Sequence, residues 1–445
     1  MKTLWVIFLK LLIDLNSAIG PFFNFEKDRL IVQIHKTLKG FIFKESLKKA
    51  LIKKFNVSDI IIHFYSKNRK FFLEIISNYQ LPQKEEVVNY LNFFISNQIY
   101  KNLTNTFTQR RIFYITKESR IPLIGSIYFG IIDRGTNLLQ IRPITGCILN
   151  CPFCSVDEGP RSKTRWVDYI IEPNYLLEEI KKVIEFKKVN DIEIHFDGQG
   201  EPLTYPYLID LIKNLSKNVN IKVISMQTNG ILLNKETILK LKKAGLNRIN
   251  LSLNSLDPKE AIFLSGIENY SLKNILKKID IIKNSGMELL IAPVIIPGIN
   301  EDQIEPIIKL ILKKQIKSNW PVFGFQNYIS YRYGRRMKAK PKSFSQFNKE
   351  LRDLEKKYDV KLLLSPKDFN IYKIKSIKNP IKKGEIIDAK IVLPGRTYRN
   401  EFEREMLATA KNRLIHVINC NYKVGDIKKI QIFRNKHNIN YGKII

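Results

Sequence analysis

Apolar positions along the chain change their period three times. In residues 1–135 the pattern is mixed. Leu4, Phe8, Leu11 and Leu15 recur at helical spacing, which predicts an amphipathic helix packed on an N-terminal domain. Ile60–Tyr65 and Phe71–Ile76 read as strands, and Glu45–Phe55 and Lys84–Ile95 as helices, so this part is expected to be a small α+β domain.

From 136 to 345 the pattern becomes regular. Strands are predicted at Leu138–Arg142, Ile192–Phe196, Lys222–Gln227, Arg248–Leu253, Leu289–Ile295 and Val322–Gln326. Helices are predicted between them at Glu172–Phe186, Tyr207–Leu215, Lys235–Ala244, Leu272–Ser285 and Glu301–Lys314. Asn234 and Asn300 fit N-caps, and Gly245 and Gly286 fit helix stops. Strand–helix repeats of this kind imply a parallel sheet curved into a barrel. Residues 346–379 read as a helical linker. In 380–445 the short strands Glu385–Leu393, Leu414–Asn419 and Ile427–Phe433 are separated by glycines, which predicts a small all-β barrel; Glu401–Lys411 within it looks helical. The expected fold is therefore α/β: a partial (β/α)6 barrel with an N-terminal α+β domain and a C-terminal small β-barrel.

Leu4–Leu15 is the one run that resembles a signal or a span. Lys10 and Asp14 interrupt it, and it is too short to cross a bilayer, so no membrane role is expected. Charge changes the picture more. The chain carries 75 Lys and Arg against 42 Asp and Glu, a net charge of +33, which points to a polyanion such as nucleic acid. Of its 4 cysteines, Cys147, Cys151 and Cys154 lie close together on one predicted loop. That grouping suits metal ligation in a reducing, cytoplasmic setting rather than a disulfide framework.

Cys147-Ile-Leu-Asn-Cys151-Pro-Phe-Cys154 follows the first barrel strand. Three thiolates can hold three irons of a cubane and leave the fourth without a protein ligand. A structural zinc site would want four closed ligands, and no fourth Cys or His is near in sequence. The C-x3-C-x2-C spacing, with Phe153 before the last Cys, resembles the signature of the radical S-adenosylmethionine (SAM) superfamily. The resemblance implies a [4Fe-4S] cluster, SAM chelated at the open iron, and a reductant such as ferredoxin or flavodoxin. Gly198-Gln199-Gly200-Glu201-Pro202 resembles the family's Gly-Gly-Glu-Pro motif, with Gln199 in place of a glycine; there the backbone and Glu receive the amino group of SAM. Thr228 and Asn229, Ser252 and Asn254, and Pro297 and Gly298 follow the next three strands, where the family makes its remaining SAM contacts. All these motifs fall at the C-terminal ends of predicted strands, where such barrels build active sites.

Beyond the cluster motif only Cys420 remains, too few thiols for a second protein-held cluster. It is a candidate hydrogen-atom donor or else a core residue of the tail. The run Tyr328–Lys342 after the sixth strand holds six basic residues, three tyrosines and no acid. Tyr331, Arg332, Tyr333, Arg335, Arg336 and Lys338 are candidate RNA contacts, with cations for phosphates and rings for unpaired bases. The tail resembles a TRAM domain, an RNA-binding barrel, which would make Arg396, Arg399 and Lys429 phosphate contacts. The resulting reading is a radical SAM enzyme that modifies RNA, most plausibly tRNA. Two others stay open: a radical SAM enzyme acting on a protein or small metabolite, and an RNA-binding protein with a structural cluster.

Overall fold

In a computed structural model the described residues are 9–15, 23–26, 28–57, 60–68, 70–77, 80, 82–316, 318–398, 400 and 403–445. The chain divides into two compact units, Met1–Tyr114 and Ile115–Ile445. The division precedes the expected boundary at 135 because β9 (Gly130–Asp133) pairs antiparallel with the first barrel strand, β10 (Leu138–Arg142).

The first unit holds β1 (Leu9–Asp14), β2 (Phe23–Glu26), β3 (Arg29–His35), β4 (Leu38–Phe43), α1 (Lys44–Phe55), β5 (Ile60–Lys67), β6 (Lys70–Ser77), α2 (Lys84–Ile99), β7 (Leu103–Asn105) and β8 (Arg111–Ile115). One sheet runs β1-β6-β5, and β8-β7-β4-β3-β2 are neighbours in another. The helix expected from Leu4 is corrected in its described part. Leu9–Asp14 is a strand, in register with β6 through Leu11↔Ile75 and Ile13↔Leu73. There Ile13 is 1% exposed while Leu12 is 39% exposed, the alternation of a strand. Leu4 and Phe8 lie outside the described residues.

In the second unit β10 leads through the cysteine loop to β11 (Val167–Ile171) and α3 (Pro173–Lys187). Then follow β12 (Ile192–Phe196), α4 (Leu208–Leu215), β13 (Ile221–Thr228), α5 (Lys235–Ala244), β14 (Arg248–Leu251), α6 (Pro258–Ser265), α7 (Leu272–Asn284), β15 (Glu288–Ile291), β16 (Val294–Ile295), α8 (Ile304–Lys313) and β17 (Gln326–Asn327). The sheet order is β15-β14-β13-β12-β10-β9, parallel apart from β9. The sixth strand is reduced to the β16–β17 pair and a bridge between Ile291 and Phe323, so the barrel is partial.

Asn234 caps α5 by accepting from the Thr237 N–H at 2.7 Å. Asn300 is not a cap. Its buried amide donates to the Asn254 and Val294 carbonyls and accepts from the Ile296 N–H, which ties the ends of β14 and β16 together. The linker contains α9 (Phe344–Tyr358) and then runs without a further α-helix to the tail. There β18 (Ile386–Tyr398), β19 (Arg404–Ala410), β20 (Arg413–Val417), β21 (Ile427–Arg434) and β22 (Tyr441–Ile444) close a barrel in the order β18-β19-β20-β22-β21. The helical expectation for Glu401–Lys411 is corrected in its described part by β19, with residues 401 and 402 outside the described residues. Its Met, Leu and Ala favour helices, but pairing with β18 and β20 decides the outcome.

Candidate active site

The cysteine loop is held from three sides. Gly146 and Gly200 bridge the loop to the turn after β12: the Gly146 N–H donates to the Gln199 carbonyl at 3.0 Å, and the Glu201 N–H to the Gly146 carbonyl at 2.9 Å. At φ +149° a Cβ on Gly200 would sit 2.0 Å from the Gly146 oxygen, so only glycine fits this approach. The second support is α6, whose Asp257 N-cap, Pro258 start and Gly266 stop are all readable signals. The carbonyl of Ser265, at its end, accepts from the Asn150 N–H at 2.9 Å.

The third support is a pair of arginines from far along the chain. Arg335 donates to Asp157 at 2.7 Å, to the Cys151 carbonyl at 3.1 Å and to the Glu158 carbonyl at 2.7 Å, and its own N–H reaches the Cys154 carbonyl. Arg396, fully buried on β18, pairs with Glu158 and with Asp168 at 2.7 Å and donates to the Val167 carbonyl at 3.0 Å. Burial opposes its charge, but Glu158 and Asp168 outweigh that and hold its pKa above the ordinary arginine value. Both arginines were expected to meet RNA phosphates. Their guanidinium groups are instead committed to the cysteine loop and its flank, so those expectations are corrected.

Inside these supports lies a cleft of about 730 Å³. Cys147, Cys151, Gly200, Glu201, Thr228, Asn229, Ser252 and Asn254 line it. An adjoining cleft of about 810 Å³ takes in Cys154, Gly198 and Tyr331. Glu201 is the hub. One carboxylate oxygen accepts from the Leu203 N–H at 3.1 Å and the Thr228 hydroxyl at 2.7 Å, the other from the Asn229 N–H at 2.8 Å. Burial nonetheless pushes it up to about 6. Gln199 and Pro202, within this turn, are buried. Pro297 and Gly298 are outside the lining, and the Gly298 N–H is turned toward Glu301. Gln227, Ser255, Ser265 and Tyr270 also line the first cleft but carry no motif that would have marked them.

The thiols suit a cubane. Donors aim at sulfur: the Leu149 N–H at Cys147 (3.4 Å), the Glu158 N–H at Cys154 (3.3 Å) and the Asn229 amide at Cys147 (3.7 Å). Burial pushes all three thiols up, Cys151 to about 12, so ionising them together calls for bound cationic irons.

The radical SAM superfamily profile matches residues 141–311, a span that contains the three cysteines and the Glu201 turn. The chain belongs to the radical SAM superfamily. Its cofactors are a [4Fe-4S] cluster and SAM. An uncharacterized protein of Methanocaldococcus jannaschii is 41% identical over 385 residues, covering 81% of this chain and 86% of that protein. A GTP 3',8-cyclase of Clostridium botulinum is 37% identical over 185 residues, covering 41% of this chain and 55% of the cyclase. Among solved structures, anSMEcpe with bound AdoMet aligns at 21% identity and a TM-score of 0.39, covering 51% of this chain and 63% of that one. Streptococcus suis SuiB bound to precursor peptide SuiA aligns at 19% identity and a TM-score of 0.38, covering 72% and 60%.

The remaining candidates are dispersed. Cys420 is fully buried in the hydrophobic core of the tail barrel, away from both clefts, which corrects the hydrogen-donor expectation. Tyr331, Arg332, Tyr333, Arg336 and Lys338 are exposed on the loop leaving β17. Lys429 is exposed and pairs with Asp388 at 3.4 Å. Arg399 lies outside the described residues. No helix among the described residues is long and apolar enough to cross a membrane.

Proposed function

We propose that the protein modifies RNA, most plausibly tRNA, by hydrogen abstraction at the barrel mouth. When bound, the cluster and SAM supply a carbon radical that takes a hydrogen atom from an unactivated C–H bond. The protein's own residues bind and orient. Cys147, Cys151 and Cys154 would hold the cluster, and Glu201 would meet the amino group of SAM. Thr228 and Asn229 keep the Glu201 carboxylate aimed by hydrogen bonds. Ser252 and Asn254 supply polar contacts from the next strand. The loop after β17 would present the RNA.

One observation carries the RNA reading. Tyr331 lines the cleft that contains the three cysteines, and the exposed Arg332, Tyr333, Arg336, Lys338 and Lys340 follow it directly. Cations interleaved with rings at the edge of a reactive cleft suit a backbone of phosphates with unpaired bases. The closed tail barrel, read as TRAM-like, and the net charge of +33 agree with that substrate. Electrons would come from a ferredoxin or flavodoxin, and the setting is read as cytoplasmic. A small nucleotide is the second reading, favoured by the similarity of the core to GTP 3',8-cyclases.

The test compares RNA nucleosides by mass spectrometry from cells with and without the gene. The proposal expects one modified nucleoside to vanish in the deletion and to return when reconstituted enzyme, SAM and reductant are added to the deletion strain's tRNA. Identical nucleoside profiles would overturn it.

A further inference from the structure

A separate cavity of about 680 Å³ lies between the tail barrel and the loop leaving β17. Tyr128, Arg332, Tyr333, Thr397, Arg404 and Tyr441 contribute to its wall. Neither the cysteines nor the Glu201 turn reaches it.

Its wall combines guanidinium groups with aromatic rings. Arg332 lies over the ring of Tyr333 at 5.3 Å, and Arg404 lies over that of Trp166, also at 5.3 Å. The Arg404 Nε is buried without a hydrogen-bond partner among the described residues. Stacked arginines of this kind offer flat donors to a phosphate, and the rings offer platforms to a base. The acid in the wall is largely committed. Glu405 accepts from the Tyr128 hydroxyl at 2.6 Å and the Thr397 N–H at 3.2 Å, and pairs with His416 at 2.6 Å. Glu403 is exposed at the rim.

Position selects the kind of ligand. Tyr331 lines the cysteine cleft, and the next two residues line this cavity. Consecutive Cα atoms are only about 3.8 Å apart, so one loop faces two sites at near-contact spacing. A single small metabolite would need only the first site. A polymer of phosphate-linked bases would use both.

We propose that this cavity seats an unpaired nucleotide next to the one presented at the cysteine cleft, with its phosphate on Arg332 and Arg404 and its base against Tyr333. The inference rests on the RNA reading above. The test uses anaerobically reconstituted full-length protein and a fluorescein-labelled single-stranded oligoribonucleotide of mixed sequence, titrated by anisotropy across a salt series. Arg404→Gln and Tyr333→Leu should each weaken binding roughly tenfold. Arg404→Gln should also flatten the salt slope by about one, as loss of one phosphate contact does. Iron content and cluster absorbance of both variants should match the parent. If the parent itself binds no RNA, the RNA reading falls and this inference with it. If the parent binds and both variants bind equally well, the cavity assignment is overturned while the RNA reading stands. Loss of iron in both variants would also overturn it, since the cavity would then be scaffold for the cluster loop.

Discussion

Arg396 and Lys429 sit on paired strands of the same barrel, yet burial makes them different in kind. Arg396→Met would leave Glu158 and Asp168 buried without their cation, and should cost about 3–5 kcal/mol by denaturant titration. Lys429→Ala removes an exposed pair and should change stability by no more than about 1 kcal/mol. Both read as loose cations in the sequence, because charge pattern carries no information about depth. The same limit hid the role of Arg335, which a basic run disguised as a nucleic-acid contact. Glu405 gives a pH dependence. Burial pushes its carboxyl up, but His416, Tyr128 and Arg165 outweigh that, and its pKa lies below the usual carboxylate value. Its stabilisation is therefore present above the unfolded carboxylate range near pH ~4.3 and is lost as pH falls through the lower folded value. Thermal melts across acid pH should show this loss, and Glu405→Gln should remove that part of the slope.

At the scale of elements, the turn after β12 shows how closely backbone and chemistry are joined. Gly200→Ala forces a Cβ to 2.0 Å from the Gly146 oxygen. The bridge between the cysteine loop and the Glu201 turn should open, and equilibrium dialysis should show SAM binding lost or strongly weakened. The parallel strands and their helices were legible because apolar runs and caps agreed, as at Asn234 and Gly245. The sixth strand was less so: only Gln326–Asn327 pairs, and the preceding residues contribute one bridge. Leu9–Asp14 and Arg404–Ala410 defeated the reading for one reason. Each is a strand because a neighbouring strand supplies its hydrogen bonds, and helical spacing or propensity cannot report that partner. The motif positions in the cleft were legible from the family resemblance. Tyr270 was not, since it reaches the cleft through a turn between helices.

Across the second unit, the tail barrel is a structural part of the cluster site. Trp166 donates to the Gly395 carbonyl at 2.7 Å, Tyr169 to the Pro394 carbonyl at 2.5 Å, and Arg396 reaches the flank of the cysteine loop. Removing residues 380–445 would leave Glu158 and Asp168 without their cation. A chain truncated there should yield little iron per polypeptide after reconstitution, whereas a tail that only gripped substrate would leave iron loading intact. The sequence suggested an appended module because glycine-rich short strands mark a fold, and they do not show what that fold packs against.

Radical chemistry at this cleft requires a cluster held by three cysteines with one iron left for SAM. Electron paramagnetic resonance of the anaerobically reconstituted, reduced full-length protein, recorded with and without SAM, tests this most directly. The predicted result is a [4Fe-4S] signal that changes shape when SAM is added. A protein that gives no cubane signal, or one whose signal SAM leaves unmoved, would contradict it.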